Sequence, residues 1–208
     1  MREKIAIIDY GLGNMHSIHK ALEYLGVQTV FDVDGTSILS AERVILPGVG
    51  AFSVGVKNLR SCNQFKAIRD FALSERPFLG ICLGCQMLLP SSEEFGGSEG
   101  LGLIPGKVVK IPKTKEPIPH TGWKALRLKH SLSDTNFPFP SITEGVCTYF
   151  AHSYHVRPET DDYIRATCEY GDSEVAAIIC KGNIFGFQFH PEKSGEIGLE
   201  MLRDFLYL

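Results

Sequence analysis

The residues of this sequence best suited to chemistry are a cysteine between two glycines and a histidine two positions before a glutamate. The cysteine is the centre of Gly80-Ile81-Cys82-Leu83-Gly84, a nucleophile-elbow pattern with Cys in place of Ser. Glycine is favoured on both sides of such a sharp strand-to-helix turn, because a Cβ there would collide with neighbouring backbone. The start of a helix favours thiolate over thiol, so the pattern predicts a nucleophile at Cys82.

A base for this thiol is predicted at the end of another strand. His190 and Glu192 flank Pro191, directly after an apolar run. Residues two apart in extended chain face the same side, and a proline restricts the residue before it to extended geometry. Because α/β active sites gather at the carboxyl edge of the sheet, the sequence favours a Cys-His-Glu triad. In it, His190 is the general acid and base, and Glu192 orients its imidazole.

Each of these residues also has a plainer interpretation. Cys82 could be a small buried hydrophobe, since free cysteine is among the most buried residue types. His190 could be a strand-end histidine beside a solvated Glu192. Cys82 and Cys85 also form a C-x-x-C, which leaves a thiol-redox function open. Zinc needs further paired ligands and the chain has no second C-x-x-C, so no metal is expected.

Two backbone segments could stabilise an oxyanion beside the thiol. The amide of Leu83 lies at the predicted helix start. The turn Pro47-Gly48-Val49-Gly50 follows a predicted strand and could direct an N–H to the same place, or could be a plain turn before a helix. The other histidines have no comparable partner nearby in the sequence and are predicted to be non-catalytic: His16, His19, His120, His130, His152 and His155.

The elements that must position these residues predict an α/β fold. In the first half, short apolar runs alternate with helical segments, which indicates a mainly parallel central sheet flanked by helices. The second half predicts an antiparallel strand extension, in which strand 164–170 alternates apolar and polar residues as if one face were wet. Segment 93–100 is predicted to be a surface loop. The predicted strands are 4–9, 27–31, 43–46, 78–81, 108–111, 124–128, 147–150, 164–170, 174–180 and 184–189.

Length and composition predict a single domain over residues 1–208 and exclude several function classes. A net charge of −3 argues against nucleic acid and anionic membranes as partners, and no apolar run approaches a membrane span. The amino end lacks the apolar region of a signal peptide, and the six scattered cysteines suggest reduced thiols, so a cytoplasmic location is expected. No cofactor is expected, since Gly11 and Gly13 are followed by His16 where a dinucleotide fingerprint needs a third glycine.

Taken together, these residues resemble the class I (triad) glutamine amidotransferases, whose fold is flavodoxin-like. More closely, they resemble the glutaminase subunits of imidazole glycerol phosphate synthases, in histidine biosynthesis. The elbow and His190-Pro191-Glu192 carry the broader resemblance, and the amino-terminal segment and His-Thr-Gly-Trp motif narrow it. The matching segments cover nearly the whole chain and are 8–14, 46–52, 80–84, 119–123, 149–154 and 188–194.

The resemblance implies hydrolysis of glutamine to glutamate and ammonia through a thioester on Cys82. It implies that amides of Val49, Gly50 and Leu83 bind the oxyanion. The positions that match glutamine-binding residues are Gly48, Gln86, Ser153 and Tyr154.

The resemblance further implies a heterodimer with a (β/α)₈-barrel cyclase subunit that receives the ammonia. Trp123, Tyr149 and Lys193 match positions that face this barrel. Such glutaminases are nearly silent alone, and we expect an N–H of Val49 or Gly50 to point away until the partner docks, because glycine makes a peptide flip easy.

Two departures from the family pattern leave alternatives open. Cys85 stands where relatives usually carry Met, which suggests a reversible disulfide with Cys82. Lys124 stands where Asn is usual, so a similar glutaminase that feeds a sugar-modifying amidotransferase stays possible.

Overall fold

The computed structural model describes residues 4–113, 115–129 and 137–208. His130, one of the histidines predicted to be non-catalytic, lies outside these residues. In chain order, the strands are β1 (Ile5–Ile8), β2 (Thr29–Asp32), β3 (Arg43–Leu46), β4 (Phe78–Ile81), β5 (Ser91–Ser92), β6 (Ser98–Glu99), β7 (Gly106–Lys110), β8 (His120–Ala125), β9 (Arg127–Leu128), β10 (Cys147–His152), β11 (Tyr154–Pro158), β12 (Ile164–Tyr170), β13 (Ser173–Lys181) and β14 (Ile184–Phe187). The α-helices are α1 (Met15–Tyr24), α2 (Phe52–Ser61), α3 (Gln64–Ala72), α4 (Leu83–Met87) and α5 (Gly195–Leu206).

An eight-stranded sheet with the order β2-β1-β3-β4-β14-β13-β12-β9 forms the centre of the molecule. Its first five strands are parallel, and the last three continue it in antiparallel pairs. The predicted α/β class, with a mainly parallel sheet and an antiparallel extension, is confirmed. Because β3, β4 and β14 are parallel neighbours, the segments that follow them meet at one edge of the sheet.

Helices cover both faces of the parallel half, which is why its strands are continuous apolar runs. Along β1, Ile5 and Ile7 face one hydrophobic cluster, and Ala6 and Ile8 face the other. Helices α1 and α5 pack on the first face, and α2 and α3 on the second. This alternation follows from the two-residue period of a strand.

Two details of the predicted second half are wrong. Segment 124–128 is two strands in different sheets, because the chain turns at the fully buried Leu126, whose N–H donates to Val146. The predicted alternation of buried apolar and exposed polar residues fails along β12. Register shifts on either side of Ala166 bring the polar side chain of Thr167 into the interior. Segment 93–100 lies at the surface as predicted, but it is not all loop, since it includes β6 and its Glu94 reaches the start of α2.

Two smaller sheets lie beside the central one. One is a ribbon of β8 and β10, which pair in antiparallel register with Trp123 opposite Tyr149 and His120 opposite His152. The other has the order β11-β7-β5-β6 and includes β11, which the sequence analysis missed. Among the residues described, no helix is long and apolar enough to cross a membrane.

Candidate active site

Cys82 lies between β4 and α4 in a backbone conformation that L-residues rarely adopt, with φ 53° and ψ −106°. A Cβ at Gly80 would lie 2.7 Å from the Gly84 carbonyl oxygen, and one at Gly84 would lie 1.7 Å from the Leu46 carbonyl oxygen. Both contacts are with backbone, so only glycine fits at either position. Such strain costs roughly 1–3 kcal/mol and persists only where surrounding structure enforces it.

His190 follows β14, the strand next to β4, and pairs with Glu192. The distance from Nδ1 of His190 to Oε1 of Glu192 is 2.8 Å, and each side chain is 2% exposed. The route to this pairing differs from the predicted extended chain. Residues Pro191–Lys193 form one turn of 3₁₀ helix, because proline is favoured at the first position of a helix.

The imidazole of His190 interacts with both Cys82 and Glu192. Burial lowers the pKa of His190, but hydrogen bonding and charge interactions with Cys82 and Glu192 outweigh it and raise the pKa to about 10. Nε2 of His190 makes no hydrogen bond of standard geometry in this arrangement. Catalytic hydrogen bonds are often long in unliganded sites. The elements that carry Cys82 and His190 are tied together by the Cys82 N–H, which donates to Phe187 of β14 over 2.7 Å.

The segment after β3 contacts the elbow in a way the sequence did not predict. The N–H of Leu83, expected to be a free oxyanion donor, donates to the carbonyl of Gly48 over 3.3 Å. In a trans peptide the carbonyl and the following N–H point in opposite directions. The N–H of Val49 is therefore directed away from Leu83.

A cavity of about 220 Å³ opens beside the thiol, and we call it the Cys82 cavity. This volume is below the roughly 300–1,000 Å³ of sites for drug-sized ligands, so it suits a smaller molecule. His190 and Glu192 are buried and do not line it. Wider clefts of about 1190 and 890 Å³ elsewhere on the surface contain none of the predicted site residues. The Cys82 cavity is lined by Val49, Gly50, Cys82, Leu83, Gln86, Glu94, Pro119, Ala151, His152, Ser153 and Tyr154.

Three of the four predicted substrate-binding residues line the Cys82 cavity, and Gly48 does not. A Cβ at Gly48 would lie 2.0 Å from the Tyr10 hydroxyl, so this residue is enclosed by protein. Nε2 of Gln86 donates to the Tyr154 carbonyl over 2.6 Å and to Gln188 over 3.3 Å. These bonds orient the side chain of Gln86 and leave its oxygen as the group that could meet a ligand.

Two residues with ionisable side chains that line the cavity, Glu94 and His152, were missed by the sequence analysis. Oε2 of Glu94 accepts the Phe52 N–H over 2.7 Å, which leaves the second oxygen for a cationic ligand group. No motif marks Glu94, because its contact joins residues 42 apart. His152 was set aside because its partner, His120, lies on another strand.

The three predicted interface residues lie together on the surface near His190. Trp123 is 53% exposed and packs edge-on against Tyr149, with ring centroids 6.0 Å apart. Nζ of the exposed Lys193 lies 5.9 Å from the Tyr149 ring centroid. The Tyr149 carbonyl accepts the backbone N–H of His190 over 2.9 Å, so this surface contacts the candidate base directly through one hydrogen bond.

The thiol of Cys85 is completely buried on the other face of the sheet from Cys82. Cys85 packs in the hydrophobic cluster of α2 and α3, whereas Cys82 belongs to the opposite cluster. Burial, and secondarily the charge of Cys82, raises the pKa of the Cys85 thiol well above its usual value. This placement argues against a disulfide between them. No cluster of potential metal ligands occurs in the part of the chain that the structure describes.

Comparisons with known proteins find relatives along nearly the whole chain. Residues 6–208 match the sequence profile of the family described as glutamine amidotransferase class-I. The imidazole glycerol phosphate synthase subunit HisH of Listeria monocytogenes (strain EGD-e) is 46% identical over 203 residues, covering 97% of this chain and 94% of its own. The subunit of the same name from Methanosarcina mazei is 44% identical over 207 residues, covering 98% of each chain.

Solved structures with low sequence identity share the fold. A chain in the structure of PurLQS from Thermotoga maritima superposes with a TM-score of 0.73 at 21% identity, covering 100% of this chain and 99% of that one. A glutamine amidotransferase from Thermotoga maritima gives a TM-score of 0.62 at 17% identity, covering 100% of this chain and 85% of that one. The family match spans nearly the whole sequence, and this chain belongs to the class-I glutamine amidotransferases.

Proposed function

We propose that this chain hydrolyses glutamine to glutamate and ammonia, with Cys82, His190 and Glu192 as its catalytic triad, and supplies the ammonia to a cyclase subunit in histidine biosynthesis. The observation that carries the chemistry is the strained elbow, which presents the Cys82 thiol to a small cavity while the buried His190–Glu192 pair lies at the next strand. Six free cysteines support a reducing, cytoplasmic setting.

The triad divides the reaction into two steps. The Cys82 thiolate attacks the side-chain carboxamide carbon of glutamine, and His190 donates a proton to the departing ammonia as the thioester forms. His190 then takes a proton from water, whose hydroxyl attacks the thioester and releases glutamate and the Cys82 sulfur. Glu192 accepts a hydrogen bond from Nδ1, which fixes the tautomer that presents Nε2 for these transfers.

The Cys82 cavity supplies acceptor oxygens that suit the N–H groups of free glutamine. The second carboxylate oxygen of Glu94 can accept a hydrogen bond from the α-ammonium group of the substrate. The side-chain oxygen of Gln86, whose nitrogen is already bonded, is a second acceptor. Ser153 and Tyr154 offer polar groups along the same wall.

A partner that receives the ammonia is supported by the named relatives and by one surface. Both relatives are called subunits of imidazole glycerol phosphate synthase. The exposed Trp123, with Tyr149 and Lys193, forms the surface on which we place the cyclase. Ammonia released into water at neutral pH is mostly protonated and diffuses away, so direct transfer to a docked barrel preserves its nucleophilic form.

The bond from Leu83 to Gly48 explains how the isolated chain would stay nearly inactive. While it persists, neither the Leu83 N–H nor the Val49 N–H is available to an oxyanion. Rotation of the Gly48–Val49 peptide by about half a turn would free the first donor and turn the second toward the cavity. This rotation changes ψ of Gly48 and φ of Val49, and Gly48, which has no Cβ, tolerates backbone angles closed to other residues. We propose that docking of the cyclase drives this rotation.

Glutamine hydrolysis by the isolated chain and by its complex with a cyclase subunit tests the proposal. We expect the complex to be faster by at least about 10²-fold, the usual cost of losing one oxyanion donor. Cys82→Ala should abolish the activity, and Cys85→Ser should keep it. Equal rates with and without the cyclase would refute the regulatory part, and activity in Cys82→Ala would refute the triad.

Two other functions are less well supported. A glutaminase that feeds a sugar-modifying enzyme would share the same triad, but the relatives named here are histidine-pathway subunits. A thiol-redox protein would need Cys85 to meet Cys82, and these residues belong to opposite hydrophobic clusters.

A further inference from the structure

Two buried histidines that the triad does not use lie at the Cys82 cavity, one in its wall and one behind that wall. His152 lines the cavity and is 6% exposed, and His120 beneath it is fully buried. They face each other across the β8–β10 ribbon, where they occupy opposite register positions. The His120 ring lies between those of Phe150 and Tyr170, with centroid distances of 4.7 and 4.0 Å.

The hydrogen bonds of the two rings admit one neutral tautomer. Nδ1 of His152 lies 2.8 Å from the Tyr154 carbonyl oxygen, which only accepts, so this nitrogen carries the proton. Nε2 of His152 is then an acceptor, and Nδ1 of His120, 3.1 Å away, must donate to it. Nε2 of His120 is left as an unprotonated acceptor, and it is buried without a hydrogen-bond partner.

The surroundings of the pair oppose a second proton on either ring. Burial, followed by the charges of His120, His155 and His190, lowers the pKa of His152 to about 3, while its hydrogen bond to the Tyr154 carbonyl acts in the opposite direction. Burial, followed by the charge of Lys124, lowers the pKa of His120 to about 4, while Glu116 acts in the opposite direction. Both rings are therefore neutral at the pH where His190 is protonated.

The Tyr154 carbonyl is the point at which this pair meets the substrate side of the cavity. It accepts from His152 and from Gln86, and both Gln86 and Tyr154 line the cavity. We propose that His120 and His152 are positioning residues, a neutral pair of fixed tautomer that holds the Tyr154 carbonyl, and through it Gln86, in the geometry that binds glutamine. This proposal rests on the proposed function.

Steady-state kinetics of variants in complex with the cyclase subunit test the pair. His152→Phe removes the donor to Tyr154, and we expect KM for glutamine to rise about fivefold, the value of one neutral hydrogen bond, with kcat changed less than twofold. His152→Asn places an amide N–H near the Nδ1 position and should restore KM to within about twofold of the parent. His120→Phe keeps the stacking but removes the second bond, so KM should lie between these values.

His155→Phe is the matched control. His155 is as buried as His152 and adjoins Tyr154, but its Nδ1 has no hydrogen bond. A residue that only stabilises the fold would lower stability without changing KM, so His155→Phe should leave KM unchanged. An unchanged KM in His152→Phe, or no recovery in His152→Asn, would overturn the proposal.

¹⁵N NMR of histidine-labelled protein tests the tautomer independently of catalysis. We expect His120 and His152 to show protonated Nδ1 and unprotonated Nε2, without titration between pH 5 and pH 8. A doubly protonated ring or an Nε2–H tautomer in that range would overturn the proposal. If the Cys82→Ala complex still hydrolysed glutamine, the triad would fail, while the NMR result would still decide on the pair.

Discussion

Replacement of Glu192 by glutamine tests the central geometry of the site, because both orientations of the new amide conflict with it. If the amide oxygen faces Nδ1 of His190, the NH₂ group takes the place of Oε2, which is buried and has no partner. If the NH₂ group faces Nδ1, the ring proton must move to Nε2, the nitrogen that has to accept the proton in the hydrolytic step.

These two outcomes set the expected loss of activity. Loss of a hydrogen bond between charged groups costs about 1.5–3 kcal/mol, or about 10- to 150-fold in kcat/KM. Stabilisation of the wrong tautomer raises the loss to about 10⁴-fold, as in other triads. We therefore expect the kcat/KM of the Glu192→Gln complex to fall by about 10- to 10⁴-fold.

Glutaminase activity with the cyclase subunit present is the assay, and Glu196→Gln is the control. Glu196 is exposed at the start of α5, so the same change there should leave kcat/KM within about twofold, as for most surface substitutions. Retention of more than a third of the parental kcat/KM in Glu192→Gln would refute the role given to the His190–Glu192 bond.

The same variant should change how stability depends on pH. The pKa of His190 is raised from 6.5 to about 10, so this residue contributes stability that is complete below pH 6.5 and is lost as the pH rises toward 10. Without the Glu192 charge the pKa falls, and the alkaline loss of stability should shrink. Urea unfolding at pH 6 and pH 9 measures this loss of stability. An identical loss in the parent and in Glu192→Gln would contradict the raised pKa assigned to His190.

Three further predictions concern the elbow, the cavity wall and the strand that faces the partner. Gly84→Ala places a Cβ 1.7 Å from the Leu46 carbonyl oxygen, so we expect a loss of about 1–3 kcal/mol in stability and of about 10²-fold in kcat, measured by urea unfolding and by glutaminase assay. The pKa of His152 is lowered from 6.5 to about 3, so the unfolded chain binds a proton there before the folded chain does. The free energy of unfolding should therefore fall by about 2 kcal/mol between pH 7 and pH 5, and unfolding curves of His152→Asn should lack this decrease. Ser194→Ala removes the buried hydroxyl that accepts the Tyr149 N–H and should lower the free energy of unfolding by about 1–3 kcal/mol; an unchanged denaturant midpoint would contradict this.

Features that depend on neighbouring residues could be predicted from the sequence. Strands β3 and β4 were predicted with their observed bounds, since each is a short apolar run closed by a turn or helix signal. The elbow glycines were explained by the local turn, and the distances at Gly80 and Gly84 agree with that reason. The class of fold followed from the order of strands and helices.

Features that depend on contacts between distant segments could not be predicted. The bond from Leu83 to Gly48 joins two loops whose separation is fixed only by the pairing of β3 with β4. Glu94 reaches the cavity because its carboxylate accepts the Phe52 N–H at the start of α2, and no residue type or spacing in the sequence predicts that contact. His120 and His152 are opposite each other only in the register of the ribbon, which the sequence does not specify.

The elbow also limits how this part of the chain can evolve. Ile81 belongs to the core on one face of the sheet and Leu83 to the core on the other, so both hydrophobic layers meet at Cys82. The glycines on either side exclude larger residues, and the apolar neighbours are fixed by two separate packings. A descendant of this protein can therefore change its reactivity by replacing the Cys82 thiol with another nucleophile of similar size. Moving the nucleophile to another position would require both hydrophobic layers to repack.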